Sequence, residues 1–203
     1  KIEYYRPRTR DLNTQQQEFI KNKILDFEET LTFNPGDPLS DKFHPIGFID
    51  YWLLQEFSRN NEGYTRSQYW YTKGVEEDYR LHMAPVWDFN HSFGGVLREF
   101  KYWSSVVFFA VSNLWYKIIA NREFQEQVVK RWQGYVDQGG EYQEGLRDNV
   151  FNPQRLMLQI DSIRDQFVKN FAVDRDYARW FRSENQNFET DLIYFKRWVL
   201  TRL

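Results

Sequence analysis

Apolar residues recur every three or four positions over most of the chain, which is the spacing of one face of an α-helix. The first such stripe follows Thr14 and Gln17, which have the spacing of a capping box, and a Pro- and Gly-containing segment at 34–38 ends it. A second stripe follows Pro45, a favourable first-turn residue, and runs to about Asn60. The stripes are Ile20, Ile24, Phe27 and Leu31; Ile49, Trp52, Leu53 and Phe57; Val107, Val111, Leu114 and Ile118; Phe124, Val128, Trp132 and Tyr135; Leu156, Ile160, Ile163 and Phe167, after Asn152–Pro153; and Phe188, Leu192, Phe195 and Val199.

The helical spacing is interrupted once, after the second stripe. Residues 68–72 and 79–85 are short β-prone runs separated by the polar segment 73–78, which predicts a β-hairpin. A loop rich in functional side chains, from Trp87 to Gly95, follows the hairpin. We therefore predict an α+β fold that is predominantly α, with one small β-hairpin.

Charge and composition exclude several classes of function. The 27 Lys and Arg nearly cancel the 29 Asp and Glu, leaving a net charge of −2, so there is no basic field for nucleic acid. No apolar run approaches the roughly 18 residues of a membrane-spanning helix. The chain contains no Cys, which excludes disulfides, thiolate zinc sites and a Cys nucleophile.

Aromatic residues make up 19% of the chain, which is unusually high. Such rings can build a core from few residues, but they also line surfaces that bind sugars. Carbohydrate binding is disfavoured here because Trp52, Trp115 and Trp132 fall on the helical core stripes and not in an exposed row.

Polar residues gather in three stretches that flank the predicted hairpin: Asn60–Gly63, Ser67–Gln68 and Trp87–Asn90. A helix end, a strand start and a strand end can meet at one rim of a hairpin. Their carboxylates and amides are the oxygen ligands that Mg²⁺ prefers when it bridges phosphates. The spacing is typical of phosphoryl-transfer enzymes. The alternative is that these residues are ordinary turn and cap residues.

Glu56 and the three histidines are the remaining candidates for chemistry. Glu56 lies in the middle of an apolar helix face, where a carboxylate must be paired or protonated. Its partner is either an arginine of the C-terminal helices or the turn at Glu62. His44 precedes a helix and His82 is expected to point outward from a strand, so both are predicted to be structural. His91 follows the Trp-Asp-Phe-Asn block and is the histidine placed to contact a ligand.

Several blocks of this sequence resemble the CotH family, the spore-coat kinase-like proteins. The resemblance covers about residues 15–203, and the Trp-Asp-Phe block is its most specific part. The helical tail agrees, with Leu114–Trp115, Arg131–Trp132 and Arg197–Trp198. The matching blocks are Phe48–Phe57, Asn60–Gly63, Ser67–Tyr71, and Pro85–Asn90 with Gly94.

The resemblance implies the helical C-terminal lobe of an atypical protein-kinase-like fold. It makes residues 1–203 a partial kinase-like domain, with a linker over 1–14, helices, hairpin and active-site-like loops over 15–100, and a helical subdomain over 101–203. It also implies phosphoryl transfer from ATP, with Mg²⁺ or Mn²⁺, to a protein acceptor or a coat or surface partner. The implied location is extracellular or at the cell surface.

The family's motifs assign roles to four residues of this chain. Its Asn-x-Asp motif falls on Asn60–Glu62, which makes Glu62 the active-site acid near the acceptor hydroxyl. Its Trp-Asp-x-Asp block falls on Trp87–Asn90, which makes Asp88 catalytic and, with Asn90, metal-binding. Gln68 and Asn90 would supply neutral oxygen ligands to the metal and nucleotide.

Three of these four positions depart from the family pattern. Glu62 and Asn90 replace Asp, and Gln68 replaces the Asn of many members, so metal binding is expected to be weakened or lost. The ATP-clamping N-terminal lobe is expected upstream of Lys1, so the chain alone is predicted to be inactive. Two alternatives stay open: a kinase in the complete parent, or a non-catalytic surface or coat module for binding and assembly.

Overall fold

A computed structural model confirms the predicted fold class, because its helices are accompanied by one small antiparallel sheet. None of the helices in the described ranges is both long and apolar enough to cross a membrane. The helices are α1 (Thr14–Phe33), α2 (Pro45–Ser58), α3 (Glu62–Thr65), α4 (Asn113–Ala120), α5 (Arg122–Val136), α6 (Pro153–Lys169), α7 (Ala172–Arg179) and α8 (Phe188–Arg202), and the strands are β1 (Trp70–Tyr71) and β2 (His82–Met83). The structure describes residues 7–60, 62–73, 78–90, 92–94, 113–136, 150–180 and 187–203.

The chain divides into two compact units that interleave along the sequence. Each unit has its own core. Among the described residues, the first unit contains 7–56, 62–73, 78–88 and 113–128, and the second contains 57–60, 89–90, 92–94, 129–136, 150–180 and 187–203.

Helix α1 begins at Thr14, one residue before the start that a Thr14 N-cap predicts. Asn13, and not Thr14, is the N-cap: its side chain accepts from the Gln16 backbone N–H at 2.9 Å, and Gln16 accepts from the Asn13 N–H at 3.0 Å. The prediction of Thr14 with Gln17 was therefore wrong in register, because asparagine is a stronger N-cap than threonine. The helix ends at Phe33, where the 34–38 segment was predicted to end it.

Aromatic rings from α1, α2 and α4 form the core of the first unit. The Phe27 ring meets Phe43 and Phe48 edge to face at centroid distances of 5.3 and 6.2 Å. Trp115 of α4 lies against Phe48 at 5.9 Å and is fully buried. Edge-to-face and tilted contacts of this kind add stability beyond the buried area, so the high aromatic content serves packing in this unit.

The predicted hairpin is present between α3 and the Trp87 loop, with shorter strands than the pattern suggested. Trp70 pairs with Met83 and Tyr71 with His82, in antiparallel register. The hairpin is fixed to the start of α2 because the His44 N–H donates to the Leu81 carbonyl at 2.8 Å. Part of the connecting loop, residues 74–77, lies outside the described residues.

His82 does not point outward, which corrects the prediction from strand alternation. It is 6% exposed, and its ring stacks between those of Tyr71 and His44 at 5.0 Å from each. Its Nε2 also lies 3.1 Å from the Asp78 carboxylate. Alternation over two residues does not indicate which face of a strand is buried. Here His44, immediately before α2, covers the face that carries His82. His91 lies outside the described residues.

Acidification is expected to destabilise the first unit through His44. Burial, followed by the nearby His82 and Arg80 charges, lowers the pKa of His44 below its ordinary value of 6.5, and its Nδ1 lies 3.4 Å from the Gly47 N–H as an acceptor. The unfolded chain therefore binds this proton more readily. The stabilising contribution is complete above pH 6.5 and is lost as the pH falls toward the lower folded pKa.

Urea unfolding between pH 7.5 and 5 tests this expectation. The wild-type chain is expected to lose more stability than His44→Gln over this range, because the glutamine keeps an acceptor but does not titrate. The same loss in both proteins would contradict the assignment to His44.

The core of the second unit gathers around Phe57, Phe151, Trp198 and Val199. The Phe57 and Phe151 rings lie 4.7 Å apart, and Trp132 of α5 packs on Phe151 at 5.2 Å. Helix α6 begins as predicted, with Asn152 as N-cap accepting from the Arg155 N–H at 3.0 Å and Pro153 in the first turn. The last turn of α2 thus contributes Phe57 to a core built mainly by the C-terminal helices.

Phe171, at the corner between α6 and α7, has a left-handed backbone (φ 53°) and is 66% exposed. Left-handed geometry costs a non-glycine residue about 1–2 kcal/mol, and glycine is the usual residue at such a helix end. We expect Phe171→Gly to raise the free energy of unfolding by about 1 kcal/mol. Phe171→Ala, which removes the ring but keeps the strain, is the control in denaturant unfolding. Equal changes in the free energy of unfolding for Phe171→Gly and Phe171→Ala would contradict the presence of backbone strain at Phe171.

Candidate functional site

Within the first unit, residues from the three predicted polar stretches meet at Ser67. Its backbone N–H donates to the Glu62 carbonyl at 2.8 Å, and its hydroxyl donates to the Asp88 carboxylate at 3.2 Å. Gln68 follows it directly, and Ser67 itself is buried. A single residue therefore connects the turn of Glu62, the hairpin entry and Asp88. We refer to Glu62, Ser67, Gln68 and Asp88 as the Ser67 junction.

Glu62 begins a helical turn of its own, α3, instead of standing at the end of α2. Helix α2 ends at Ser58, and Arg59 takes a left-handed conformation with φ 58°, as residues that stop helices often do. The N–H groups of Arg66 and Ser67 then close the new turn on the Glu62 carbonyl at 2.9 and 2.8 Å. The Glu62 side chain is half-buried at the N-terminus of this turn, where a carboxylate is electrostatically favoured.

Tyr51 of α2 supports the helical turn that begins at Glu62. Its buried hydroxyl donates to the Gly63 carbonyl at 2.6 Å and lies 3.3 Å from the Ser67 carbonyl. Burial raises the pKa of Tyr51 above its ordinary value of 10, so the hydroxyl stays a donor throughout the physiological range. Gly63 lets the turn come close to α2, because a Cβ there would lie 2.4 Å from the Gln55 side chain.

Glu56 is buried, as its position on the helix predicted. It is 8% exposed, and its carboxylate accepts a 2.8 Å hydrogen bond from the Tyr64 hydroxyl. Tyr64 belongs to α3, two residues after Glu62. Glu56 thus connects α2 to the turn of the junction, which is the supporting role that the sequence left as one alternative.

Both polar atoms of the Gln68 side-chain amide make hydrogen bonds. Its Oε1 accepts from the indole N–H of Trp115 at 3.1 Å, and its Nε2 donates to the Tyr64 carbonyl at 3.3 Å. Trp115 lies on α4, 47 positions along the chain. Two hydrogen-bond partners therefore fix the side chain of Gln68.

Asp88 has a left-handed backbone, with φ 64°. Aspartate is one of the few non-glycine residues that adopts this geometry readily, and the conformation turns the chain sharply after Trp87. The side chain is half-buried beside Ser67.

Asn90, the other predicted ligand, belongs to the second unit and is exposed. The loop that carries it is closed by the Ser92 hydroxyl, which donates to the Phe89 carbonyl at 2.5 Å. The Phe93 N–H donates to the Ser58 carbonyl at 2.7 Å, which joins this loop to the end of α2. Gly94 (φ 71°) lies so close to the Trp198 ring that a Cβ would come within 2.8 Å of it.

The donor set of the junction consists of hard oxygen atoms. In the described ranges, no three His, Asp or Glu side chains are grouped to hold a metal ion. Mg²⁺, however, commonly uses one or two carboxylates and completes its shell with water and phosphate oxygens. The Asp88 carboxylate, which lies beside the Ser67 hydroxyl, is a ligand of the kind that this pattern requires, whereas the Gln68 amide oxygen accepts from the Trp115 N–H.

The residues of the junction could be identified from the sequence, whereas those that hold them could not. Tyr51, Tyr64 and Trp115 look like ordinary core aromatics from their helical spacing, and only their polar atoms distinguish them. The expectation that Trp residues serve the core holds for Trp115, whereas Trp87 is 46% exposed and stacks on Tyr69 with centroids 5.6 Å apart.

The whole chain, residues 1–203, matches a protein-family model described as CotH kinase protein. The match includes every residue of the Ser67 junction and both compact units. No curated protein and no solved structure matches the chain.

Proposed function

Because the chain belongs to the CotH kinase protein family, we propose that it is the catalytic-loop part of a protein kinase that transfers a phosphoryl group from ATP to a hydroxyl group of a protein acceptor. The Ser67 junction is the observation that carries this proposal, since it joins the family's two acidic motifs through Ser67. Phosphoryl transfer depends chiefly on positioning and on electrostatic stabilisation, both of which such a junction can supply.

Asp88 and Glu62 have different roles in this proposal. Asp88, oriented by the Ser67 hydroxyl, would hold the divalent cation. A bound Mg²⁺ or Mn²⁺ would neutralise charge on the transferred phosphate. Glu62 would orient the acceptor hydroxyl and accept its proton as the new P–O bond forms and the bond between the γ-phosphorus and the bridging oxygen breaks, which releases ADP. Gln68 and Asn90 stay predicted ligands from the sequence.

The acceptor and the location follow from the family in the same proposal. A spore-coat or other surface protein is the acceptor or partner that we infer, outside the cell or at its surface. Transfer of labelled phosphate from ATP, assayed with the full-length protein in the presence of Mg²⁺ or Mn²⁺, tests the activity. No transfer to itself or to surface-protein extracts, while the protein remains folded, would contradict it.

A non-catalytic binding or assembly module is the second candidate, and exposed apolar side chains favour it. Several such side chains lie on α6, α7 and their ends in the second unit, and apolar surface is what partner-binding faces use when it forms one patch. A module of this type would bind a surface partner without ATP or metal, so a pull-down in EDTA distinguishes it from the kinase. The exposed side chains include Leu158, Ile163, Phe167, Phe171 and Trp180.

A further inference from the structure

The outer edge of β1 carries backbone groups that make no hydrogen bond within the hairpin. In an antiparallel ladder, alternate residues of a strand turn their N–H and C=O groups toward the neighbouring strand, and those between turn them away. The Tyr69 carbonyl and the Lys73 N–H both bond to the returning chain of the hairpin, at 2.8 and 3.3 Å. Trp70 and Thr72 therefore face away, and the backbone of neither bonds to any described residue. We call this side the open edge of β1.

The opposite edge of the small sheet is covered by the chain that leads into α2. Leu81 forms a parallel bridge with Phe43, and its N–H donates to the Lys42 carbonyl at 3.0 Å. Natural proteins usually protect an exposed edge with proline or charged residues, because such an edge tends to pair with another chain. Residues 68–72 contain neither proline nor a charged residue. The open edge is therefore not protected against pairing.

The open edge leads directly to the Ser67 junction. It starts within three residues of Ser67, which is about 10 Å along a strand. Tyr69 and Tyr71 share one face of β1 and are 38% and 44% exposed. Trp87, which stacks on Tyr69, is followed directly by Asp88. A strand added to this edge would thus run beside an aromatic face that ends at the junction.

We propose that the phosphate acceptor docks by strand addition: an extended segment of the acceptor pairs its backbone with Trp70 and Thr72 and directs the adjoining hydroxyl-bearing residue toward the Ser67 junction. Only an extended backbone offers alternating donors and acceptors at the spacing of a strand edge. In complexes of this type the backbone supplies affinity and alternate side chains supply specificity. The favoured segment is β-prone, with apolar side chains that pack on the exposed tyrosines. The inference rests on the proposed function, because it assigns the segment to the acceptor.

Thr72→Pro in the whole chain tests the open edge. Proline removes the outward N–H and obstructs an approaching strand, yet edge positions whose N–H faces solvent tolerate it. The probe is a soluble peptide with a central serine between alternating valine and threonine residues, titrated by calorimetry without ATP or metal. We expect Thr72→Pro to weaken its binding about tenfold or more. Thr72→Val is the matched control: it keeps the N–H and the branched shape, so the affinity should stay within about twofold.

A methylation scan of the same peptide distinguishes strand addition from contacts made by side chains alone. Single methyl groups on the backbone nitrogens should abolish binding at alternate positions and be tolerated at the positions between, because only every second N–H of a strand faces its partner. The scan uses the wild-type chain. It therefore decides the question even if Thr72→Pro does not fold.

The outcomes separate this inference from the kinase proposal. No binding by the wild-type chain, equal affinities of Thr72→Pro and Thr72→Val, or the same effect of methylation at every position overturns strand addition and leaves the kinase proposal standing. Self-association of the chain in sedimentation, abolished by Thr72→Pro, would assign the edge to a second copy and also overturn the inference. The alternating pattern without phosphate transfer by the full-length protein would support the docking edge and overturn the kinase proposal.

Discussion

Asp88→Asn is expected to abolish the rise in unfolding temperature that Mg²⁺ or Mn²⁺ gives the wild-type chain. At a metal concentration about ten times Kd, binding contributes about 1.4 kcal/mol, or roughly 3–5 °C for a chain of this size. Asparagine tolerates the left-handed backbone at this position and can still accept from the Ser67 hydroxyl, so the change removes little except the charge. In the full-length protein, phosphate transfer should fall on the order of 10²–10³-fold.

Asp37→Asn is the matched control for Asp88→Asn. It makes the same charge change at an exposed residue of the 34–38 segment, outside the Ser67 junction. The control should retain the full metal-dependent shift and full transfer. Equal metal shifts in the wild-type chain, the control and Asp88→Asn would remove Asp88 from the cation site.

Gly63→Ala is expected to destabilise the protein by about 1–3 kcal/mol, the usual cost of overpacking. The added Cβ would lie 2.4 Å from the Cδ and Oε1 atoms of Gln55, so this fully buried side chain would have to shift. The loss corresponds to roughly 2–12 °C in unfolding temperature. Because Gly63 accepts the Tyr51 hydrogen bond, the turn that begins at Glu62 should be displaced as well.

Gly36→Ala serves as the comparison for this change. A Cβ at Gly36 meets nothing within 4 Å, so the substitution should shift stability by no more than about 0.5 kcal/mol. Thermal unfolding of both variants measures the difference. Similar midpoints for the two would mean that Gln55 does not fill the space beside Gly63.

Much of the fold could be predicted because it depends on local patterns. Pro45 and Asn152–Pro153 mark the starts of α2 and α6, and the stripe at Phe188 begins where α8 does. The start of the stripe at Val107 lies outside the described residues. The polar segment 73–78 separates the hairpin strands. The predictions fail where local preferences compete. Asn13 outranks Thr14 as a cap, and the two-residue strand at His82 is too short for alternation to identify its buried face.

The site was predictable as a set of segments but not as a network. The spacing of polar stretches around the hairpin led to Glu62, Gln68 and Asp88, and the structure joins these stretches at Ser67. The contact of Trp115 with Gln68 spans 47 positions and depends on how α4 packs against α2, which periodicity does not encode. The burial of Glu56 follows from its place on the helix, whereas its bond to Tyr64 requires the extra turn α3.

The interleaving of the two units has a consequence for biosynthesis. Helices α1 and α2 emerge from the ribosome early, but the ring that fills the space beside Phe48 and Tyr51 is Trp115, which is synthesised more than 60 residues later. Until Trp115 has been synthesised, the apolar faces of α1 and α2 cannot complete their core, and exposed apolar faces are prone to aggregate. The nascent chain should therefore depend on chaperones until α4 has been translated.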